Sequence, residues 1–273
     1  VQEVAWIAFE EARRDGWIRD YTPDIHAGYV AAHLATTHRP ERGVHVVFTG
    51  LHGTGDTTVV DVLRPAGFAV SIEPTQAPHD GSFPEVPFRT PNPEVPASME
   101  RAIALATTLG ADLVMACDPD ADRIGLCARD GSGYRFFNGN EIAALVTEYR
   151  LRFGGFSNPI VMKTEVTSSL VTSVARRYGA QVVGHLMVGF KYIGEGIHRL
   201  ETTGEFGGAT GTAADFAVGV EESHGVLVTP ALRDKDAAGA ALALAEFAAV
   251  RRGGGTTLAD ELRGLWLREG YVH

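Results

Sequence analysis

From Val44 onward the chain keeps returning to one pattern, a short apolar run followed by a segment with helical spacing. Strands that alternate with helices form sheets covered by those helices, so this order confines the chain to the α/β class. The first cycle places strands at 44–48, 68–72 and 113–116, with helices over 57–63 and about 97–108. Gly131 and Gly133 then mark the turn of a hairpin between 124–128 and 134–137, and Asn138 caps a helix running to about Arg150. A second cycle has strands at 160–163, 181–184 and 216–220, helices at 168–178, 192–200 and 237–250, and a last helix over 258–267.

The expected architecture is two consecutive α/β domains with mixed sheets flanked by helices, one over 41–140 and one over 141–273, each with its own apolar face to bury. Residues 1–40 have helical spacing around Val4, Ile7 and Phe9 and again around Ile25, Tyr29 and Leu34, with no strand of their own. They read as the remnant of a preceding domain. Seven of the thirteen prolines fall between Pro74 and Pro96, which predicts an ordered excursion without regular structure. The chain opens on Val1 and its first strong strand comes only at Val44, so it reads as a piece of something longer.

Composition narrows the partners. With 273 residues and 45% hydrophobic content the chain can bury real cores. A formal charge of -10 without any basic run argues against a nucleic-acid surface, because phosphate backbones need concentrated Lys and Arg. The longest apolar stretch, 237–250, is Ala-rich, interrupted by Glu246 and too short to cross a bilayer, and no signal-peptide pattern opens the chain. A cytoplasmic protein without membrane contact is expected. Cys117 and Cys127 are expected as buried reduced thiols, since two cysteines make no disulfide framework.

Residues 118–123 read Asp118-Pro119-Asp120-Ala121-Asp122-Arg123, three carboxylates at alternating positions between the apolar runs 113–116 and 124–126. In an extended loop such alternation turns three side chains to one side, where their repulsion calls for a hard divalent cation. Magnesium fits, with a phosphate completing its shell. A calcium helix-loop-helix would need Gly at the sixth and Glu at the twelfth position, where this chain has Arg123 and Arg129. A solvated acidic turn is the bland alternative, made weaker by the apolar strands on both sides. Arg123 adds a forked phosphate donor beside the carboxylates.

A second group of candidates follows the strand at 216–220. Glu221 and Ser223, in Val220-Glu221-Glu222-Ser223-His224-Gly225, offer acceptors and a donor suited to sugar hydroxyls at a strand's carboxyl end, where open α/β sheets bind ligands. In Arg233-Asp234-Lys235-Asp236 the basic residues could hold a phosphate while an Asp caps the next helix. Alone, either stretch could be a polar loop or a capped helix start.

In order, these stretches resemble the α-D-phosphohexomutases, the phosphoglucomutase and phosphomannomutase family. Thr49-Gly50-Leu51-His52-Gly53-Thr54-Gly55 resembles that family's T-P-L-H-G loop, and Asp118 to Arg123 its magnesium loop. Phe137-Asn138-Gly139-Asn140-Glu141 leads into its third domain, and Gly189-Phe190-Lys191-Tyr192-Ile193-Gly194 resembles a G-F-K-Y-I-G segment. Glu221-Glu222-Ser223 matches the sugar-recognition loop, and Arg233-Asp234-Lys235-Asp236 the R-D-K-D stretch. Gly50 replaces a common proline, and Val188 a common threonine.

The resemblance implies an intramolecular phosphotransferase that interconverts hexose 1-phosphate and 6-phosphate through a phosphoserine and a hexose 1,6-bisphosphate. It assigns magnesium to Asp118, Asp120 and Asp122, puts Arg123 beside the phosphoserine, and gives substrate contacts to Gly189, Glu221, Ser223 and Lys235. The family's serine motif is absent; Ala35 to Pro40 echoes it only superficially, with Thr37 at the nucleophile position. The chain therefore matches the second and third domains, the first and fourth being its missing partners, and alone it is expected to be inactive. Two alternatives stand beside this reading. One is a non-catalytic module that binds a sugar phosphate or a metal; the other is a phosphatase using Asp118 as nucleophile and Asp120 as acid, which the sugar-loop match disfavours.

Overall fold

The computed structural model describes residues 5–271; Val4, named above, lies outside them. Two helices, α1 (Phe9–Arg14) and α2 (Pro23–Leu34), form an arm before the first strand. Then come β1 (His45–Thr49), α3 (Val59–Leu63), β2 (Ala69–Ile72), α4 (Glu100–Leu109), β3 (Leu113–Cys117), β4 (Ile124–Asp130) and β5 (Gly133–Phe137). The sheet order is β2-β1-β3-β4-β5; β1 pairs in parallel with both β2 and β3, and β4 and β5 run antiparallel. Connections leave β1 in one direction and return to its other side at β3. The crevice beyond the carboxyl ends of β1 and β3 is thus where this topology receives ligands.

The second cycle contains α5 (Gly139–Phe153), β6 (Ile160–Thr164), α6 (Ser169–Arg177), β7 (Gln181–Leu186) and α7 (Lys191–Thr202). It continues with β8 (Glu205–Phe206), β9 (Ala209–Thr210), β10 (Phe216–Glu221), β11 (Gly225–Leu227), α8 (Ala237–Gly253) and α9 (Leu258–Glu269). Its sheet runs β11-β10-β6-β7, parallel except for β11. The mixed α/β architecture is the one expected. Asn138 caps α5 through a reciprocal box with Glu141, which satisfies two otherwise orphaned amides.

Some boundaries differ from the sequence reading, for local reasons. The helix expected over 57–63 begins only at Val59, after a short 3-10 turn at Gly55–Thr57. Gly55 is pressed against the Cys117 sulfur, where a Cβ would sit 2.2 Å away, and Thr58 leaves helical geometry at φ -127°. The helix expected from residue 97 starts at Glu100, preceded by a 3-10 turn over Pro96–Met99. The short pairs β8–β9 and β10–β11 were not foreseen.

The apolar stretch that is too short for a bilayer is α8, and its residues from Ala237 to Ala249 are all buried. Alanine side chains let a helix lie close against neighbours on every side; here these include α3, α5, α9 and β11. One contiguous buried cluster consequently contains residues of both sheets, such as Phe48 and Leu63 with Val161 and Val220. Among the described residues no helix is long and apolar enough to cross a membrane.

Glu246, which interrupts that stretch, is fully buried and paired. It lies 2.9 Å from Arg42 Nη2, accepts the His38 backbone N–H at 3.1 Å and accepts the Tyr149 hydroxyl. The segment leading into β1 is thereby tied to α5 and α8. A buried carboxylate is tolerated there because its partners replace the lost water. The Arg150 guanidinium donates from Nη1 to His38 Nε2 at 2.5 Å.

Burial, and then the Arg150 charge, push the His38 imidazole from its ordinary 6.5 down to about 4. The unfolded chain binds this proton first, so the contribution is complete above about pH 6.5 and is lost as pH falls through 4. We expect His38→Gln, which keeps an acceptor for Arg150, to narrow the drop in thermal midpoint between pH 7.5 and pH 5, measured by circular dichroism. An unchanged drop would assign acid sensitivity to other groups.

Candidate functional site

Asp118 follows the last residue of β3, in the crevice defined by the sheet topology. The loop after it is a turn and not the extended run expected from alternation: Ala121 N–H donates to the Asp118 carbonyl at 3.0 Å, and Ala121 has φ 57°. The carboxylates converge even so. One oxygen from each of Asp118, Asp120 and Asp122 can be chosen so that all lie within 4.8 Å of one another. Asp118 is buried, Asp122 half-buried and Asp120 exposed, so the cluster opens to solvent on one side.

Asp118 also organises its own loop. Its Oδ1 accepts the backbone N–H groups of Asp122 and Arg123 at 3.1 and 3.0 Å, and its Oδ2 accepts Arg123 Nε at 2.6 Å. A carboxylate has about four lone-pair positions, so these three bonds leave room for one cation. Burial raises the Asp118 carboxyl above its ordinary range and the Asp122 charge adds to this, against the pull of Arg123. Three hard oxygen donors and a charge cluster that a cation would relieve fit a divalent ion of the magnesium type.

Arg123 is held at both ends, by Asp118 and by Glu94 at 2.7 Å. Glu94 belongs to the proline-rich excursion, which therefore packs against the carboxylate loop. Sequence reading missed it, because nothing in a stretch without periodicity shows which carboxylate folds back.

The second group of candidates lies on the other sheet, and a backbone junction brings it to the first. Ile124 N–H donates to the His224 carbonyl at 3.1 Å, His224 Nδ1 meets the Ile124 carbonyl at 2.8 Å, and Arg123 pairs with Gly225 as an isolated antiparallel bridge. His224 is buried, which lowers its imidazole pKa. Glu221 ends β10 and accepts the Gly189 backbone N–H at 2.8 Å, joining two predicted substrate residues directly. Burial raises the Glu221 carboxyl, opposed by that N–H and by Lys235.

Lys235 closes the ring, with its Nζ 2.7 Å from Asp122 Oδ2 and 5.9 Å from the Phe190 ring centroid. Burial alone would lower its amine, but Asp122 and Asp234 hold it above the ordinary range. Ser223 is half-buried in the same loop, two residues from Glu221. Glu222, left unassigned by the sequence, accepts the hydroxyls of Thr164 at 3.1 Å and Thr167 at 3.2 Å and so anchors the loop to the end of β6. Residues 222–224 form a turn, so no strand alternation signalled this role.

Leu51, His52, Ala121 and His224 all have positive φ. Four non-glycine residues in the left-handed region, gathered around one crevice, mark a backbone held in costly geometry, as at many functional sites. Two further glycines permit close approaches between loops. A Cβ on Gly53 would lie 2.2 Å from Pro119 Cα, and one on Gly139 would lie 1.8 Å from the Glu222 carbonyl oxygen.

Residues 24–131 match the phosphoglucomutase/phosphomannomutase alpha/beta/alpha domain II, and residues 138–268 match domain III of the same family. The phosphoglucomutase of Staphylococcus epidermidis (strain ATCC 12228) is 34% identical over 229 residues, covering 83% of this chain and 40% of that protein. That of Staphylococcus aureus (strain MRSA252) is 32% identical over the same length, covering 83% and 39%. The chain thus spans about two fifths of the length of the curated relatives it matches. Among solved structures, a phosphoglucomutase/phosphomannomutase family protein from Burkholderia thailandensis has the same fold. It aligns with 88% of this chain and 46% of its own at a TM-score of 0.67 and 17% identity.

Gly139 offers a test of the close contact beneath the Glu221 loop. Gly→Ala within a helix ordinarily gains up to about 1 kcal/mol. Because the added methyl would meet the Glu222 backbone, we expect Gly139→Ala to lose roughly 1–3 kcal/mol in urea denaturation. A neutral or stabilising result would show that this contact is loose.

Proposed function

Since the chain belongs to the phosphoglucomutase/phosphomannomutase family, we propose that it forms the metal-binding and sugar-binding part of a phosphohexomutase. In the whole protein the reaction would interconvert hexose 1-phosphate and 6-phosphate, of glucose, mannose or both, through a phosphoserine and a hexose 1,6-bisphosphate. The contact that carries this reading is the 2.7 Å pair between Lys235 and Asp122, which joins the two groups of candidates into one crevice. We read residues 41–140 and 141–273 as the second and third domains of such an enzyme, cytoplasmic in location, and residues 1–40 as the end of the first.

Asp118, Asp120 and Asp122 would hold magnesium, which when bound offsets negative charge on a transferring phosphoryl group. The remaining roles belong to the chain's own side chains. Arg123, fixed between Asp118 and Glu94, keeps a positive charge at the rim of the carboxylate cluster. Glu221 and Ser223 would take sugar hydroxyls, with Gly189 N–H keeping the Glu221 carboxylate in position. Lys235 would release Asp122 in part and orient the anionic end of the substrate. With no serine motif in the chain, the phosphoryl donor would come from the missing first domain, and a fourth domain would complete the grip on substrate.

The test is steady-state kinetics of the whole protein on glucose 1-phosphate and mannose 1-phosphate with a bisphosphate primer. Losing a charge-assisted hydrogen bond costs about 1.5–3 kcal/mol, so Glu221→Ala should reduce kcat/KM roughly ten- to a hundredfold. Glu221→Gln, which can still accept from Gly189, should fall between. Residues 1–273 alone should show no turnover. Unchanged kinetics in both variants would remove sugar recognition from this loop, and turnover by residues 1–273 alone would place a nucleophile within them.

A further inference from the structure

A cleft of about 460 Å³ lies at the opposite end of the first sheet from the carboxylates. The amino ends of β1 and β3 and the far end of β4 form its floor, through Val44, Leu113 and Ala128; Ala248 and Leu258, flanking the α8–α9 turn, form its other wall. Five residue steps along β3 separate Leu113 from Asp118, roughly 16 Å at about 3.3 Å per residue. The volume lies in the range of small-molecule sites, about 300–1,000 Å³, whose walls are mostly apolar with a few placed polar groups.

The polar groups here sit on the rim. Arg252 is paired with Asp112, whose other oxygen accepts the His45 backbone N–H at 2.9 Å. Arg129 is different. Its Nη2 donates to the Ala111 carbonyl at 3.0 Å and its guanidinium lies 5.7 Å from the Tyr134 ring centroid, but among the described residues no carboxylate pairs with it. A guanidinium without a counter-ion, at the mouth of an apolar cleft in a chain of net charge -10, points to an anion from outside.

We propose that this cleft is a second ligand site, separate from the carboxylate crevice, for a small monoanionic carboxylate with an apolar body. The carboxylate would sit on the Arg129 fork and the body in the cleft between the first sheet and the α8–α9 turn, against Gly255 and Thr256. With Arg252 balanced by Asp112, the rim holds one unmatched positive charge, so a monoanion neutralises it. A phosphate dianion would bring a second charge toward Asp112 and be opposed by it. Because the ligand would bridge the first sheet and the α8–α9 turn, its binding would also stabilise their junction.

The probe is 4-fluorobenzoate, titrated into the 273-residue chain and followed by fluorine NMR, with 4-fluorobenzamide as the neutral counterpart. We expect saturable binding of the benzoate and about tenfold weaker binding of the amide, because the amide forfeits the charge-assisted pair. The backbone amide signals of Ala128, Arg129 and Thr256 should shift with the benzoate. Arg129→Gln should remove the preference, Arg129→Lys should keep part of it while preserving the packed stem, and Arg101→Gln, a distant surface change, should leave it intact. Equal binding of the two probes, shifts confined to residues 118–123, a preference retained in Arg129→Gln, or no saturable benzoate binding would each overturn the proposal.

Discussion

The site depends on a backbone junction between two sheets. β4 begins immediately after the carboxylate loop and β10 ends at Glu221, so the bonds between Ile124 and His224 fix the two strand ends against each other. The loop is held from two further directions: Thr54 N–H donates to the Pro119 carbonyl at 2.9 Å, and Ala237 N–H at the start of α8 donates to the Ala121 carbonyl at 3.1 Å. Three of these bonds run from main chain to main chain and do not depend on side-chain rotamers; the fourth comes from the buried His224 ring. The carboxylates can therefore stay close despite their mutual repulsion, and a cation would find them already gathered.

Burial underneath makes the junction rigid. α8 runs through the shared core on alanines, and its first turn is capped by Asp236, which accepts the N–H groups of Ala238 and Gly239 at 2.8 and 3.2 Å. Asp236 also accepts the Tyr29 hydroxyl at 2.8 Å and faces His33 Nε2 at 3.3 Å, so α2 braces the residue next to Lys235. Packing, capping and the position of the lysine are thus set by one helix terminus. The buried Glu246 acts at its other half, where its ion pair with Arg42 and its bond from His38 N–H fasten the entry to β1.

Much of this was legible in the sequence, because β/α alternation and side-chain chemistry are local signals. The order of strands, the α5 cap at Asn138 and the three Asp residues follow from spacing alone. What stayed hidden was set by contacts between distant residues. No local pattern says that Glu94 folds back on Arg123, that Glu222 turns away to Thr164 and Thr167, or that a Cβ at Gly139 would meet another loop. The carboxylate loop was expected to be extended because alternation is a strand rule, whereas the turn at Ala121 answers to the hydrogen bonds of Asp118. The two- and three-residue strands β8, β9 and β11 are too short to carry any periodicity.

We expect a divalent cation between the carboxylates at this junction. Manganese shares the oxygen preference of magnesium and scatters anomalously, so the direct measurement is an anomalous difference map from a crystal of the chain soaked in manganese chloride. A peak is expected within about 2–2.4 Å of oxygens from Asp118, Asp120 and Asp122, with the Ile124–His224 bonds unchanged. An empty loop at saturating manganese, or a peak held by other residues, would contradict it.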